Sequence, residues 1–238
     1  MAGIIGGIVN AIAGGATLIT FPAMLAAGLP ALAANASNAV AVTPGHLMAA
    51  LADHRRLPAL DRRLAASAVV TIAGGAMGAG LLLVTPERFF TALVPALIGI
   101  ATLIFAFGPR IQATLPQHGG DAVRDMLLLP TAMYGGYFGA GLGVMLLAVL
   151  TVAGREEFRA INALKNLLAT AVSLTTLTIF AIEGLVHWPE TFAMLTGALA
   201  GGVCGGRLIA VLPPSVVRLV VIVTGLSMTV IYAFRYWF

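Results

Sequence analysis

Lys165 is the only lysine in a chain of 238 residues. It stands in an apolar run, about 10 Å from the nearer end of the helix that the run predicts. An ammonium at that depth in a bilayer costs several kcal/mol unless something pairs with it, and an ionisable group inside a membrane marks a functional site by default. All nine aspartates and glutamates fall in loops or at helix ends, so the sequence offers no acid at matching depth. Either the lysine snorkels to the surface or an anionic ligand is its partner. Asn162 stands three residues before it and Asn166 directly after it, and a matching polar cluster, Asn35, Ser37 and Asn38, occupies the first half of the chain. Amides and hydroxyls at these places can donate hydrogen bonds to an oxyanion; their blander role is to bond helices together, at about 0.6 kcal/mol per bond. His46, after Pro44 and Gly45, could carry a proton near neutral pH and couple it to transport, or serve as a satisfied structural histidine. Arg207 is a weaker candidate that more naturally snorkels.

Little else in the chain can react. There is no Gly-x-Ser-x-Gly, no His-Glu-x-x-His, no pair of intramembrane carboxylates and no Cys-His constellation, so an intramembrane enzyme would lack a catalytic partner. The single cysteine, Cys204, lies in an apolar segment and supports neither a disulfide framework nor a Cys-based metal site. No metal and no cofactor are expected. The formal charge of +4 comes mostly from arginines set singly or in pairs between apolar runs. That pattern is a topology signal rather than a surface for nucleic acid.

The elements that must position these groups follow from composition. With 60% hydrophobic and 9% charged residues, the chain has too little polar surface to cover a water-soluble globule, and the fold class expected is an all-α integral membrane protein. No positively charged stretch precedes the first apolar run, so that run does not resemble a cleavable signal peptide and is expected to remain. Six stretches have the length of one crossing: 33–52, 64–84, 89–108, 160–182, 191–212 and 215–236. Two others, 2–29 and 126–153, are too long for one upright crossing of roughly 20 residues and too short for two. Each has glycines at its centre, Gly14 and Gly15 in one and Gly139, Gly141 and Gly143 in the other, which suits a re-entrant hairpin of two half-helices.

The two halves also repeat. Residues 35–107 align without a gap on 162–234, always 127 apart, pairing Asn35 with Asn162, Gly74, Gly75 and Gly78 with Gly201, Gly202 and Gly205, Pro86 with Pro213, and Thr102 with Thr229. A first membrane repeat over 1–118 and a second over 119–238 are therefore expected, each a re-entrant helical hairpin plus three transmembrane helices. Arginine placement gives the orientation. If all eight segments cross, the arginines divide seven inside and five outside; if both long segments return to the side they entered, ten lie inside and only Arg88 and Arg235 outside. Three crossings is an odd number, so the second repeat is inverted relative to the first. Both termini are then outside, in a multi-pass protein of the cytoplasmic (inner) membrane. The hairpin tips, with Gly14, Gly15, Thr17, Gly141 and Gly143, meet near the midplane, where the second half-helix of each hairpin aims its positive dipole end at an anion.

These residues together resemble the sulfite exporter TauE/SafE family, also called the toluene sulfonate uptake permeases. The resemblance spans nearly the whole chain. It rests on the glycine-rich opening of each half (Gly6, Gly7, Gly14, Gly15 with Phe21 and Pro22; Gly135, Gly136, Gly139, Gly141, Gly143) and on the stretches Ala34 to Val40 and Ile161 to Leu167. It implies a permease for sulfite, sulfoacetate, thiosulfate or organosulfonate anions. The chain departs from the family pattern at Ser37, Asn38 and Ala39, where a Thr-Asn-Lys type run is common. The leading expectation is alternating-access transport of a small sulfur-containing anion, with lipid bilayer and a coupling ion, proton or sodium, as the other partners. A passive anion channel is the alternative, since a pore needs the same site chemistry with weaker binding.

Overall fold

The computed structural model describes residues 1–13, 15–52, 54–57, 61–114, 120–151, 158–208 and 213–238, and among these every regular element is helical. In chain order they are α1 (Ala2–Ala13), α2 (Thr17–Ala26), α3 (Ala31–Ala52), a 3-10 turn at His54–Arg56, α4 (Arg62–Val84), α5 (Glu87–Thr114), α6 (Gly120–Tyr137), α7 (Leu142–Thr151), α8 (Phe158–Ile182), α9 (Trp188–Leu208) and α10 (Pro214–Trp237). Gly14, Arg155 and residues 152–153 and 209–212 of the expected segments lie outside the described residues.

Four helices are long and apolar enough to cross a membrane: α4, α5, α8 and α10. At 22 and 21 residues α3 and α9 have the length, but Asn35, Asn38, Pro44 and His46 in one, and Glu190, Arg207 and five glycines in the other, lower their mean hydropathy. Both long glycine-centred segments are broken. In the first, α1 stops and α2 restarts at Thr17, where the Leu18 N–H bonds the Gly15 carbonyl at 3.1 Å and the Ile19 and Thr20 N–H groups bond that of Ala16 at 2.9 Å. The chain then folds back, because a Cβ on Gly6 would run into the side chain of Thr20, and in a continuous helix those residues would be about 21 Å apart. In the second, Gly139 and Gly141 take φ of +79° and +80°, a region that only glycine enters without strain. The Phe138 and Gly139 N–H groups both bond the Tyr134 carbonyl, at 2.9 and 3.2 Å, and α7 restarts with the Val144 and Met145 N–H groups on the Gly141 carbonyl. Here the expected start at 126 is corrected: α6 begins at Gly120. Arg124 pairs with Asp125 at 2.9 Å, so polar residues before the apolar run are accommodated within the helix.

The packing interleaves the halves. α1 lies against α9 and α6 against α4, α5 against α10, and α3 against α8. Along α5 and α10, Thr102 meets Gly225 while its repeat mate Thr229 meets Gly99. Helices in lipid gain nothing from hiding apolar surface from water, so close approach through small residues holds them together.

Candidate functional site

Both helix breaks arrive at one place. Phe21 of α2 packs edge-on against Phe138 at the end of α6, with ring centroids 5.2 Å apart. Beside this contact, Gly15, Ala16 and Thr17 from the first break and Gly139, Gly141 and Gly143 from the second line a chamber of about 90 Å³. α3 contributes His46 and Gly45 to its wall, and α8 contributes Lys165 and Asn166. α2 and α7, ten residues each, both begin at this wall, so their positive dipole ends lie at the chamber, while the N–H groups of Leu18, Ile19, Leu142 and Val144 donate to carbonyls of the turns before them. Gly143 has open space where a side chain would be, which leaves the backbone accessible.

A second cavity of about 700 Å³ adjoins the first, and Asn10, Ala16, Val42, Gly45, Ala49, Lys165 and Asn166 line both. Asn162, Met48, Leu199 and Val203 belong to the larger one only. Among the described residues, Lys165 is the one lysine, arginine or carboxylate side chain on the two walls, and its Nζ donates to Asn162 Oδ1 at 2.9 Å, one turn back on the same helix.

Of the residues picked from the sequence, Gly15, Thr17, Gly141, Gly143, Lys165, Asn166 and His46 thus come together around the chamber, and Asn162 stands in the adjoining space. Gly14 lies outside the described residues. Asn35, Ser37 and Asn38 stand apart from both cavities, buried and bonded elsewhere. Asn35 Nδ2 donates to the Tyr137 carbonyl at 2.9 Å, Ser37 Oγ accepts the His187 N–H at 2.9 Å, and Asn38 Oδ1 accepts from Thr20 Oγ1 at 2.5 Å. The repeat mates Asn35 and Asn162, and Asn38 and Lys165, therefore have different surroundings: the α8 residues line the cavities and the α3 residues bond neighbouring segments. Sequence reasoning passed over Asn10. The signal was present, because it carries the only polar side chain of α1.

The sequence profile of the sulfite exporter TauE/SafE family matches residues 1–232. A probable membrane transporter protein of Haemophilus influenzae is 28% identical over 95% of this chain and 90% of its own length. The probable membrane transporter protein YfcA of Escherichia coli K12 is 28% identical over 94% of this chain and 84% of its own, and the probable membrane transporter protein ORF9 of a Sinorhizobium species is 27% identical over 97% and 89%. No solved structure gives a significant match. The profile match over nearly every residue establishes that the chain belongs to the sulfite exporter TauE/SafE family.

Proposed function

We propose that this membrane transporter moves a small sulfur-containing anion, such as sulfite, sulfoacetate or another organosulfonate, across the cytoplasmic membrane by alternating access. The observation that carries the reading is the convergence of two helix starts, Lys165 and Asn166 on one chamber. Two positive dipole ends, an ammonium, an amide and a hydroxyl around a small space supply positive potential and hydrogen-bond donors, and among the described residues no carboxylate lines the walls. A thermal-shift screen of the purified protein against sulfite, sulfate, thiosulfate, acetate, taurine, isethionate and sulfoacetate tests it. A bound anion at a hundred times its Kd stabilises by about 2.7 kcal/mol, which for a chain of this length raises the melting temperature by several degrees. Stabilisation by sulfur oxyanions or sulfonates and not by acetate is expected; no shift with any of them refutes the reading.

In the arrangement we infer, both broken segments are re-entrant hairpins and the second repeat is inverted relative to the first. The excess of arginines on one side supports it. Cysteine labelling checks the orientation. After replacement of the exposed Cys204, a reporter cysteine beside His54 and another beside His187 should be labelled from opposite sides of the membrane, whereas labelling from one side overturns the inverted arrangement.

Alternating access is supported by the unequal ends of α3. Its amino-terminal half is tied to α2, to α6 and to the segment before α9 through Asn38, Asn35 and Ser37, while its carboxyl-terminal half borders the open cavity through Gly45, Met48 and Ala49. With the arginine-rich loop after α3 in the cytoplasm, this is an inward-facing state. Asn35 Oδ1 is buried without a hydrogen bond, at a cost of about 1–3 kcal/mol, which suits a residue that finds its full set of partners in the opposite state.

A further inference from the structure

The two cavities share a stretch of wall, and one polar side chain on it has no role in holding the fold together. Asn10 sits on α1 among glycines and apolar residues and borders both spaces. A primary amide brings two donors and an acceptor oxygen with two lone pairs, and here it is half-buried and faces the cavities, where a ligand can reach it. Among the described residues, none exchanges a hydrogen bond with the Asn10 side chain. A residue that only bonded helices together would show such a bond.

The surroundings are shaped to hold this amide. A Cβ added to Gly45 on α3 would stand 2.9 Å from Asn10 Nδ2, and no other atom outside its own helix lies within 4 Å of that point. The amide nitrogen therefore occupies the space that any side chain at position 45 would take. Gly45 itself borders both cavities. The rotation of α1 is fixed independently, one turn before Asn10, by Gly7, where a Cβ would collide with the Ala198 carbonyl and come within 2.8 Å of the Gly202 nitrogen of α9. With that face of α1 pressed on α9, Asn10 is held at the wall shared by the cavities.

We propose that Asn10 is a substrate-ligating residue, its Nδ2–H donating to an oxygen of the anion as it passes between the Lys165 chamber and the larger cavity, with Gly45 keeping the space that the amide needs. This rests on the anion-transport reading above. It predicts that the neutral amide, not the lysine alone, selects for an oxyanion.

The test uses the full chain in detergent, titrated with sulfite and with isethionate and read by melting temperature, followed by flux of the same anions into proteoliposomes. Asn10→Ala should weaken affinity about tenfold to a hundredfold, the loss of one hydrogen bond to a charged group, with the melting temperature of the anion-free protein unchanged. Asn10→Asp, of the same shape, should weaken it further by repelling the anion. Gly45→Ala should also weaken it by displacing the amide while Asn10 is intact, which gives a second reading if Asn10→Ala folds poorly. Affinity retained in all three variants overturns the role of Asn10 and leaves the transport reading standing. A lowered anion-free melting temperature with affinity retained makes Asn10 a structural residue and overturns it too. No response of the unsubstituted protein to either anion overturns both.

Discussion

Lys165→Ala should abolish anion binding and transport while the helices remain assembled. Among the described residues, the side chain is the one lysine, arginine or carboxylate on the walls of both cavities. Removing one member of a desolvated, hydrogen-bonded charge pair costs about 2–5 kcal/mol, a loss of roughly thirtyfold to several thousandfold in affinity. Assembly of the helices should survive the change. Lys165 is half-buried at the edge of the cavities, and the neighbouring Leu164, Leu168 and Ala169 keep the adjacent face of α8 packed. The alanine variant should therefore remain folded and lose the anion-dependent increment in melting temperature. Lys165→Arg keeps the charge in a larger planar group and should retain part of the binding. Both predictions are read from thermal shift and proteoliposome flux; undiminished flux in the alanine variant removes Lys165 from the mechanism.

The second large effect concerns assembly. Gly78→Leu and Gly201→Leu should each prevent the protein from being recovered as a folded, monodisperse species. On α4, a Cβ at Gly78 would overlap the Met133 carbonyl of α6 and lie 2.8 Å from the Tyr137 nitrogen; on α9, one at Gly201 would overlap the Ile4 carbonyl of α1. The obstacle in both cases is backbone, which cannot rotate away as a flexible side chain can. Overpacking commonly costs 1–3 kcal/mol, and here the first carbon alone separates two helices along their contact. Alanine at either position should already lower the melting temperature. Gly80 is the control: a Cβ there meets nothing within 4 Å, and Gly80→Ala should be neutral or slightly stabilising through helix propensity. Size-exclusion profiles and melting temperatures of these variants decide it. Equal tolerance at Gly78 and Gly80 would show that the contact between α4 and α6 is not tight.

These glycines show why the sequence was informative about assembly. Gly74 and Gly78 align with Gly201 and Gly205 in a fixed frame, and small residues at helical spacing in an apolar segment have few uses beyond letting a neighbour approach. The breaks near Gly15 and at Gly139 and Gly141 were legible for a related reason, since a segment of length 2–29 or 126–153 fits neither one crossing nor two. The helix partners were not legible. That α1 rests on α9 rather than on its own half depends on shape matching across the membrane, and periodicity within one segment carries no record of it.

The candidate site divides along the same line. Lys165, Asn166, Thr17 and the tip glycines announced themselves through cost, because a cation, an amide or a helix break inside lipid requires a reason. Asn35, Ser37 and Asn38 carried the same signal and stand elsewhere, each bonded to a neighbouring segment. Cost identifies a buried polar group but does not say whether its partner is a ligand or another helix. Asn10 carried the same signal, as the only polar side chain of α1, without a second polar residue beside it to mark a cluster.

That this chain lives in a bilayer, where its helices break and which side chains are too polar for lipid can be read residue by residue, because hydrophobic length and desolvation cost are properties of each segment alone. Which polar groups share a cavity emerges from the packed helices. That depends on the rotation and depth of five separate segments, α1, α2, α3, α7 and α8, set by backbone contacts at glycines far apart in the chain.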